Sequence, residues 1–304
     1  MALTLTEGAK LSTDILKVGV IENIIKESPI LQRLPFIDMM GNSLKYNREL
    51  ALGTTAFYAV ADTWGESAPT FTAKTAALCI MGGDADVDCY IQKTRSNVQD
   101  IQAAVIALKA KSMAHKFEDA FINGDTGVDA NSFVGLRLSI GLTAGTQLVS
   151  MGGTGAALTL EKIDELIDTI KGGKPDMLLM SRRSRRKMTS LMRALGSMDI
   201  RQDEFGRIVE HYNGIPVYVN DWILDINVLT SGVETAITGG TCSQIYALQM
   251  GENAICGLQS PGGIIVEQVG LVQTKDVMRT RLKWYVGLAD FCALKRGILI
   301  GVTD

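Results

Sequence analysis

Between residues 97 and 122 apolar side chains recur at helical spacing. Val98, Ile101, Val105 and Leu108 form one stripe, and Met113, Phe117 and Phe121 continue it with a small drift. Ser96 or Asn97 suits the N-cap, and Asn123-Gly124 is expected to end the helix as a left-handed C-terminal residue would. At 1.5 Å per residue the helix is about 40 Å long, which is long for a compact domain.

The pattern changes on both sides of this helix. Residues 1–45 hold short amphipathic pieces. Ile15, Val18, Ile21, Ile24 and Ile25 keep a helical period, and SPILQRLPF is expected to be extended, because each proline pushes its predecessor out of the helical region. Residues 46–91 are rich in Thr, Ala and aromatics, with Gly53, Gly65 and Pro69 as turn signals. They predict a long hairpin with too few large apolar residues for a core of its own.

From about 140 to 270 the sequence predicts an α/β block. LEKIDELIDTIKGG and RRSRRKMTSLMRALG read as helices, KPDMLLMS as a short buried strand, and SQIYALQM and GGIIVEQVG as further strands. FGRIVEHYNGIPVYVNDWI reads as a hairpin around Asn213-Gly214, a pair suited to a type I′ turn. The last stretch, from 274 to 302, predicts two strands: one alternating, one continuously apolar and so buried on both faces. The chain is α+β overall.

Bulk properties narrow the function classes. A chain of 304 residues is long enough to bury roughly 75% of its unfolded surface without a staple. The net charge of −3, with acids and bases well mixed, does not describe a general nucleic-acid binder. No apolar run reaches membrane-spanning length, and MALTLTEGAKL lacks the layout of a signal peptide. The five cysteines, without a CxxC pair, read as reduced, mostly buried thiols.

GGDADVD, residues 82–88, resembles a metal loop at first sight. Counted from Asp84, however, the sixth position is Cys89 and the twelfth is Arg95, where a calcium loop needs glycine and glutamate. The alternative is a half-buried strand, with Ala85, Val87, Cys89 and Ile91 on one face and Asp84, Asp86 and Asp88 on the other. Arg279, Arg281 and Lys283 repeat at the same period of two. If the strands pair antiparallel, a basic ladder meets an acidic one, and a reversed Arg281 is expected to be rescued by a reversed Asp86.

Other motifs carry little chemistry. Gly153-Thr154-Gly155 lacks the third glycine of a dinucleotide fingerprint and reads as a connector. RRSRRK at 182–187 reads as the solvated face of a helix, with an acidic neighbouring surface as the other use. Two histidines and no GxSxG, HExxH or Cys/His pairing leave hydrolytic catalysis without a candidate. No cofactor or metal ligand set is expected, and a carboxylate-only enzyme stays open.

The order of parts is distinctive, and four segments sharpen it: KFEDAFINGD (116–125), GGKPDMLLMSRRSRRKM (172–188), HYNGIPVY (211–218) and RTRLKWYVGLADF (279–291). With these the chain resembles the major capsid proteins of tailed double-stranded DNA bacteriophages, the Hong Kong 97-like capsid fold. The resemblance implies an N-terminal arm at 1–45 and an extended E-loop at 46–82 that lies over a neighbouring subunit. It implies a P-domain from 83–140 and 271–304 with the long helix as spine, and an A-domain at 141–270 around capsomer centres.

It also implies a structural protein of the virion, assembled in the host bacterial cytoplasm from hexamers and pentamers, with no membrane. Packaged DNA is touched only weakly, and scaffolding, portal and decoration functions fall to separate proteins where they are used. No motif marks Lys74, in the loop, for crosslinking. Phe57, Tyr58, Trp64 and Phe71 are the loop's candidate anchors on a neighbour, against burial in the hairpin's own base. An encapsulin-type shell shares the implied fold and is the nearest alternative; a soluble α/β enzyme is the more distant one.

Overall fold

The computed structural model describes residues 29–95, 101–141, 146–196, 199–202, 206 and 208–303. The helix expected after residue 13 and the caps at Ser96 or Asn97 lie outside them. The first half of the chain runs α1 (Ile30–Arg33), β1 (Phe36–Asp38), β2 (Ser43–Ala51), β3 (Thr70–Ala77), β4 (Cys79–Asp88), α2 (Cys89–Arg95), α3 (Ile101–Asn123) and α4 (Leu136–Ile140). Next come β5 (Leu148–Ser150), β6 (Ala156–Ala157), α5 (Leu160–Thr169), β7 (Met177–Met180) and α6 (Arg182–Ala194). The rest is strand: β8 (Asp199–Gln202), β9 (Ile208–Tyr212), β10 (Ile215–Val219), β11 (Val228–Thr230), β12 (Val233–Ala236), β13 (Ser243–Leu248), β14 (Ile255–Leu271), β15 (Val277–Asp290) and β16 (Arg296–Thr303).

Two sheets organise the molecule. A four-stranded sheet runs β1-β14-β15-β4, and a larger one runs β5-β16-β13-β7-β10-β9-β8, with β6 also on β16. The long helix α3 covers one face of the smaller sheet. Phe117 sits between Phe36 and Trp284, with ring centroids 5.9 and 4.9 Å away. The same core runs on to Met177, Leu179, Tyr246 and Ile298 of the larger sheet. The other face of that sheet, through Leu178, Met180, Ile245 and Leu299, is closed by α5 and α6. Strands β7 and β13 are therefore buried along their whole length.

Several local expectations need correction. Ile30–Arg33 is a helical turn, not extended. Pro29 at its N-cap loses no hydrogen bond there, and only Leu34, before Pro35, must be extended (ψ 117°). Strand β4 stops at Asp88, so Cys89 and Ile91 belong to α2 rather than to a strand face. Leu108 is 47% exposed, and the stem of its neighbour Lys109 lies over Gly83.

Gly124 does not adopt a left-handed conformation. It is there for close approach: Gly135 donates its N–H to the Gly124 carbonyl at 2.8 Å, and a Cβ on Gly124 would lie 2.4 Å from the Ala120 oxygen. By contrast, the turn at Asn213 (φ 52°) and Gly214 (φ 80°) joins β9 to β10 as a two-residue type I′ turn does, with Tyr212 opposite Ile215.

The two sheets draw on segments that lie far apart in the chain. Strand β14 begins at Ile255 and pairs with β15, so it lies in the smaller sheet although most of it precedes residue 271. Strand β16 pairs with β13 in the larger sheet. The reason is burial: seven of its eight residues are buried, and only a sheet covered on both faces offers that. The protruding hairpin is β2–β3, with Ser43 opposite Ala77, while β4 from Cys79 onward already belongs to the body.

Candidate functional site

The acidic stretch and the basic stretch meet within one chain. Strands β4 and β15 are antiparallel, with Arg279 opposite Asp86 and Arg281 opposite Asp84. Each guanidinium makes a two-bond fork: Arg279 Nε and Nη2 donate to the Asp86 oxygens at 2.8 and 2.6 Å, and Arg281 to those of Asp84 at 2.6 and 3.0 Å. Arg279 Nε also lies 3.4 Å from Asp84, which ties the two pairs together. The hydrogen bond from Arg281 holds the Asp84 carboxyl below its ordinary range, and that from Arg279 does the same for Asp86.

The ladder is shorter than the sequence suggests. Lys283 lies opposite Gly82 and pairs with Glu267 on β14 instead. Asp88 lies opposite Val277, and its Oδ1 accepts from the Tyr90 N–H at 2.8 Å, at the start of α2. The rescue partner of Arg281 is therefore Asp84, not Asp86. A spacing of two fixes the face but not the register, and the offset here leaves one residue of each triplet over. Among the described residues no three His, Cys, Asp or Glu side chains form a metal cage.

The forks lie on the outer face of the sheet, and at the β4 edge Asp84 and Asp86 share a groove with Leu108, Lys109 and Ser112 of α3. The opposite faces of the same strands, Ala85 and Val87 with Leu282 and Trp284, are the buried ones. Alternation along β4 and β15 thus puts the ion pairs on an open, shallow surface flanked by Ile80 and Tyr285.

Sequence reasoning missed the hairpin's anchorage. At its base Tyr46 Oη donates to the Asp290 carbonyl at 2.6 Å, and Arg48 Nε donates to the Phe291 carbonyl at 2.8 Å. Arg48 and Arg296 both pair with the Asp290 carboxylate, at 2.9 and 2.5 Å. Arg296, itself buried, donates to the Ser139 hydroxyl and carbonyl at 2.6 and 2.8 Å. Tyr46 packs edge-on against Phe291, and burial raises its hydroxyl's pKa. No spacing in the sequence links residues so far apart; only the unusual Arg296 opening an otherwise apolar strand is visible there.

Beyond this base the hairpin runs out to a tip with little cover. Phe57 is fully exposed, and Trp64 and Phe71 are 78% and 62% exposed. Tyr58 stacks on Trp64 at 4.5 Å, and its hydroxyl accepts from the Gly65 N–H at 3.0 Å. The four candidate anchors thus do not fold into the hairpin's base. Tyr58 and Trp64 shape the tip, and Phe57 and Phe71 stand out from it.

RRSRRK opens α6, capped by Ser181, whose hydroxyl accepts from the Ser184 N–H at 3.2 Å. Arg182 pairs with Asp221 at 2.7 Å, and Arg183 and Arg185 approach Asp225 and Glu210 at 3.6 and 3.5 Å. Met188 and Met192 supply the apolar face. The glycine-rich connector leads into the short strand β6 rather than a helix, so it offers no phosphate-binding helix start.

The fold is shared with solved structures of low sequence identity. The chain is similar to the holo-SrpI encapsulin complex from Synechococcus elongatus PCC 7942, with 18% identity and TM-score 0.72 over 100% of this chain and 97% of that one. It is similar to a structure of Microbacterium phage Oxtober96, with 15% identity and TM-score 0.66 over 99% of each chain. The capsid of the native GTA particle matches with 16% identity and TM-score 0.65 over 96% of each chain. At such identities the likeness shows the Hong Kong 97-like fold alone, which encapsulin and phage capsids share. No curated protein sequence matches the chain. The family model described as SU10 major capsid protein matches residues 34–231, about two thirds of the chain, from the hairpin's base through both helices of the larger sheet; the chain is a structural capsid protein and belongs to the SU10 major capsid protein family.

Proposed function

We propose that this protein closes into hexamers and pentamers that build an icosahedral phage shell around double-stranded DNA, and that it acts as wall rather than catalyst. The observation that carries this reading is the hairpin β2–β3. It is tied to the body at its base and exposes Phe57, Trp64 and Phe71 at the other end. Exposed aromatics on a hairpin with no core of its own fit the surface of a neighbouring copy. Held by several weak contacts at once, each loop gains from effective concentration, so a shell is stable though single contacts are weak. Net acidity suits a wall that does not grip DNA tightly.

The division of labour we propose follows the sheets. The hairpin is the E-loop; the smaller sheet with α3 is the P-domain; the larger sheet with α5 and α6 is the axial A-domain. Scaffolding, portal and decoration functions fall to separate proteins, and assembly takes place in the host bacterial cytoplasm. Electron micrographs and light scattering of the expressed protein test the reading. Closed shells or capsomer rings are expected, and a strict 32.8 kDa monomer at high concentration across a range of salt overturns it. The likeness to an encapsulin gives the second reading: empty shells of a single small size, or a neighbouring enzyme that carries a cargo tail, are its expected result.

A further inference from the structure

Two helices lie on the same face of the larger sheet and carry opposite charge. Helix α5 turns Ile163, Leu166 and Ile167 to the sheet and exposes Glu161, Asp164, Glu165 and Asp168. It packs over β5 and β16. Helix α6 turns Met188 and Met192 inward and carries only cations among its charged residues: Arg182, Arg183, Arg185, Arg186, Lys187 and Arg193. It packs over β10, further along the sheet.

Pairing within the chain neutralises only part of each set. Lys162 takes Glu165, at 2.5 Å, while Asp164 accepts the hydroxyl of Tyr212. Asp221, Asp225 and Glu210 take the first three arginines of α6. Among the described residues no ion pair involves Glu161, Asp164 or Asp168 on one helix, or Arg186, Lys187 or Arg193 on the other. Arg186 and Arg193 are exposed, as are the three acids.

We infer that the exposed face of α6 docks on the exposed face of α5 of a second copy, head to tail, as the charge-matched seam between neighbours in a capsomer; this rests on the ring-forming reading above. In a ring of rotated identical copies each interface joins two different patches of the chain. One patch of each sign satisfies that requirement. A two-fold that sets either helix on itself brings like charges together, which is strongly unfavourable; one that sets α5 on α6 in both directions matches the charges too, but it closes at a dimer and builds no ring. Nucleic acid suits the α6 face alone and leaves the α5 face without a role.

Charge reversal tests the seam. The variants are Glu161→Lys with Asp168→Lys, Arg186→Glu with Arg193→Glu, and one chain carrying all four. Each pair alone raises the protein concentration needed for assembly about tenfold or more. The four-fold chain returns towards wild type, which also shows that the substituted helices fold. An equimolar mixture of the two paired variants recovers six-membered rings, since acidic and basic copies alternate there, but not five-membered ones. If wild type assembles and the paired variants assemble equally well, or the four-fold chain does no better than the worse pair, the seam is wrong. A change in DNA binding with unchanged assembly also overturns it. A wild-type chain that stays monomeric overturns the ring reading, and the seam with it.

Discussion

Arg281 of β15 holds Asp84 of β4 in a two-bond fork across the strand pair, Nε to Oδ1 at 2.6 Å and Nη2 to Oδ2 at 3.0 Å. Arg279 holds Asp86 in the same way, so the two forks fix one register of the strand pair. A slip by one residue turns both arginines to the α3 side. Reversing Arg281 to Glu places it beside Asp84 and opposite Glu267. The expected outcome is a lower urea midpoint, because like charges then stand directly opposite one another. Adding Asp84→Arg should recover at least half of that loss in urea unfolding, whereas adding Asp86→Arg should not. Equal rescue by both would mean that the forks do not define the register.

The same forks predict acid sensitivity. Asp84 and Asp86 have folded pKa values below the ordinary 3.8, chiefly through the hydrogen bonds from Arg281 and Arg279. Depressed carboxylates stabilise the folded state above the unfolded value, and the contribution disappears as pH falls through the folded values. Wild type should therefore lose stability on going from about pH 5 to below the folded values more steeply than the Asp84→Asn, Asp86→Asn double variant. Urea midpoints measured against pH check this. Parallel curves for the two proteins would contradict it.

Much of this arrangement is visible in the sequence, and its limits have physical causes. Period two along 84–88 and 279–283 shows that both triplets lie on strand faces. Register depends on where the turn and the bulges fall, so Lys283 found Glu267 and Asp88 became a helix start. The periodic stripe of α3 locates the core, but not the exposure of Leu108 or the stem of Lys109 over Gly83. The run from 297 to 302 announces a strand buried on both faces, yet not which sheet buries it. The base of the hairpin was invisible, because Tyr46, Arg48, Asp290 and Arg296 become neighbours only through the fold.

The glycine pair at the end of α3 makes a sharper test of packing. Gly124 and Gly135 touch backbone to backbone. A Cβ on Gly135 would sit 2.5 Å from the Gly124 nitrogen and 2.6 Å from the Ala120 oxygen. Backbone atoms have no rotamer with which to yield. Gly135→Ala should therefore cost about 1–3 kcal/mol, as overpacking does. Gly153→Ala, where a Cβ meets nothing within 4 Å, should stay within about 0.5 kcal/mol, as an open surface change does. Thermal melts of the two variants compare them directly. A Gly135→Ala protein as stable as Gly153→Ala would refute the close approach as the reason for the glycine.

The hairpin tip separates folding from assembly. Phe57 touches little of its own chain, being fully exposed, so Phe57→Ser should change protomer stability by no more than about 0.5 kcal/mol. If the tip seats on a neighbour, the same change removes an aromatic anchor worth about 2 kcal/mol at each of many equivalent contacts. Assembly should then need roughly thirtyfold more protein, since about 1.4 kcal/mol is a factor of ten. Trp64→Ala should do more harm to the protomer's tip, because Tyr58 loses its stacking partner at 4.5 Å. Light scattering against concentration, with melting curves of the dissociated protomer, reads the two effects separately. A Phe57→Ser chain that melts normally and assembles at the wild-type concentration would show that the tip is not a contact.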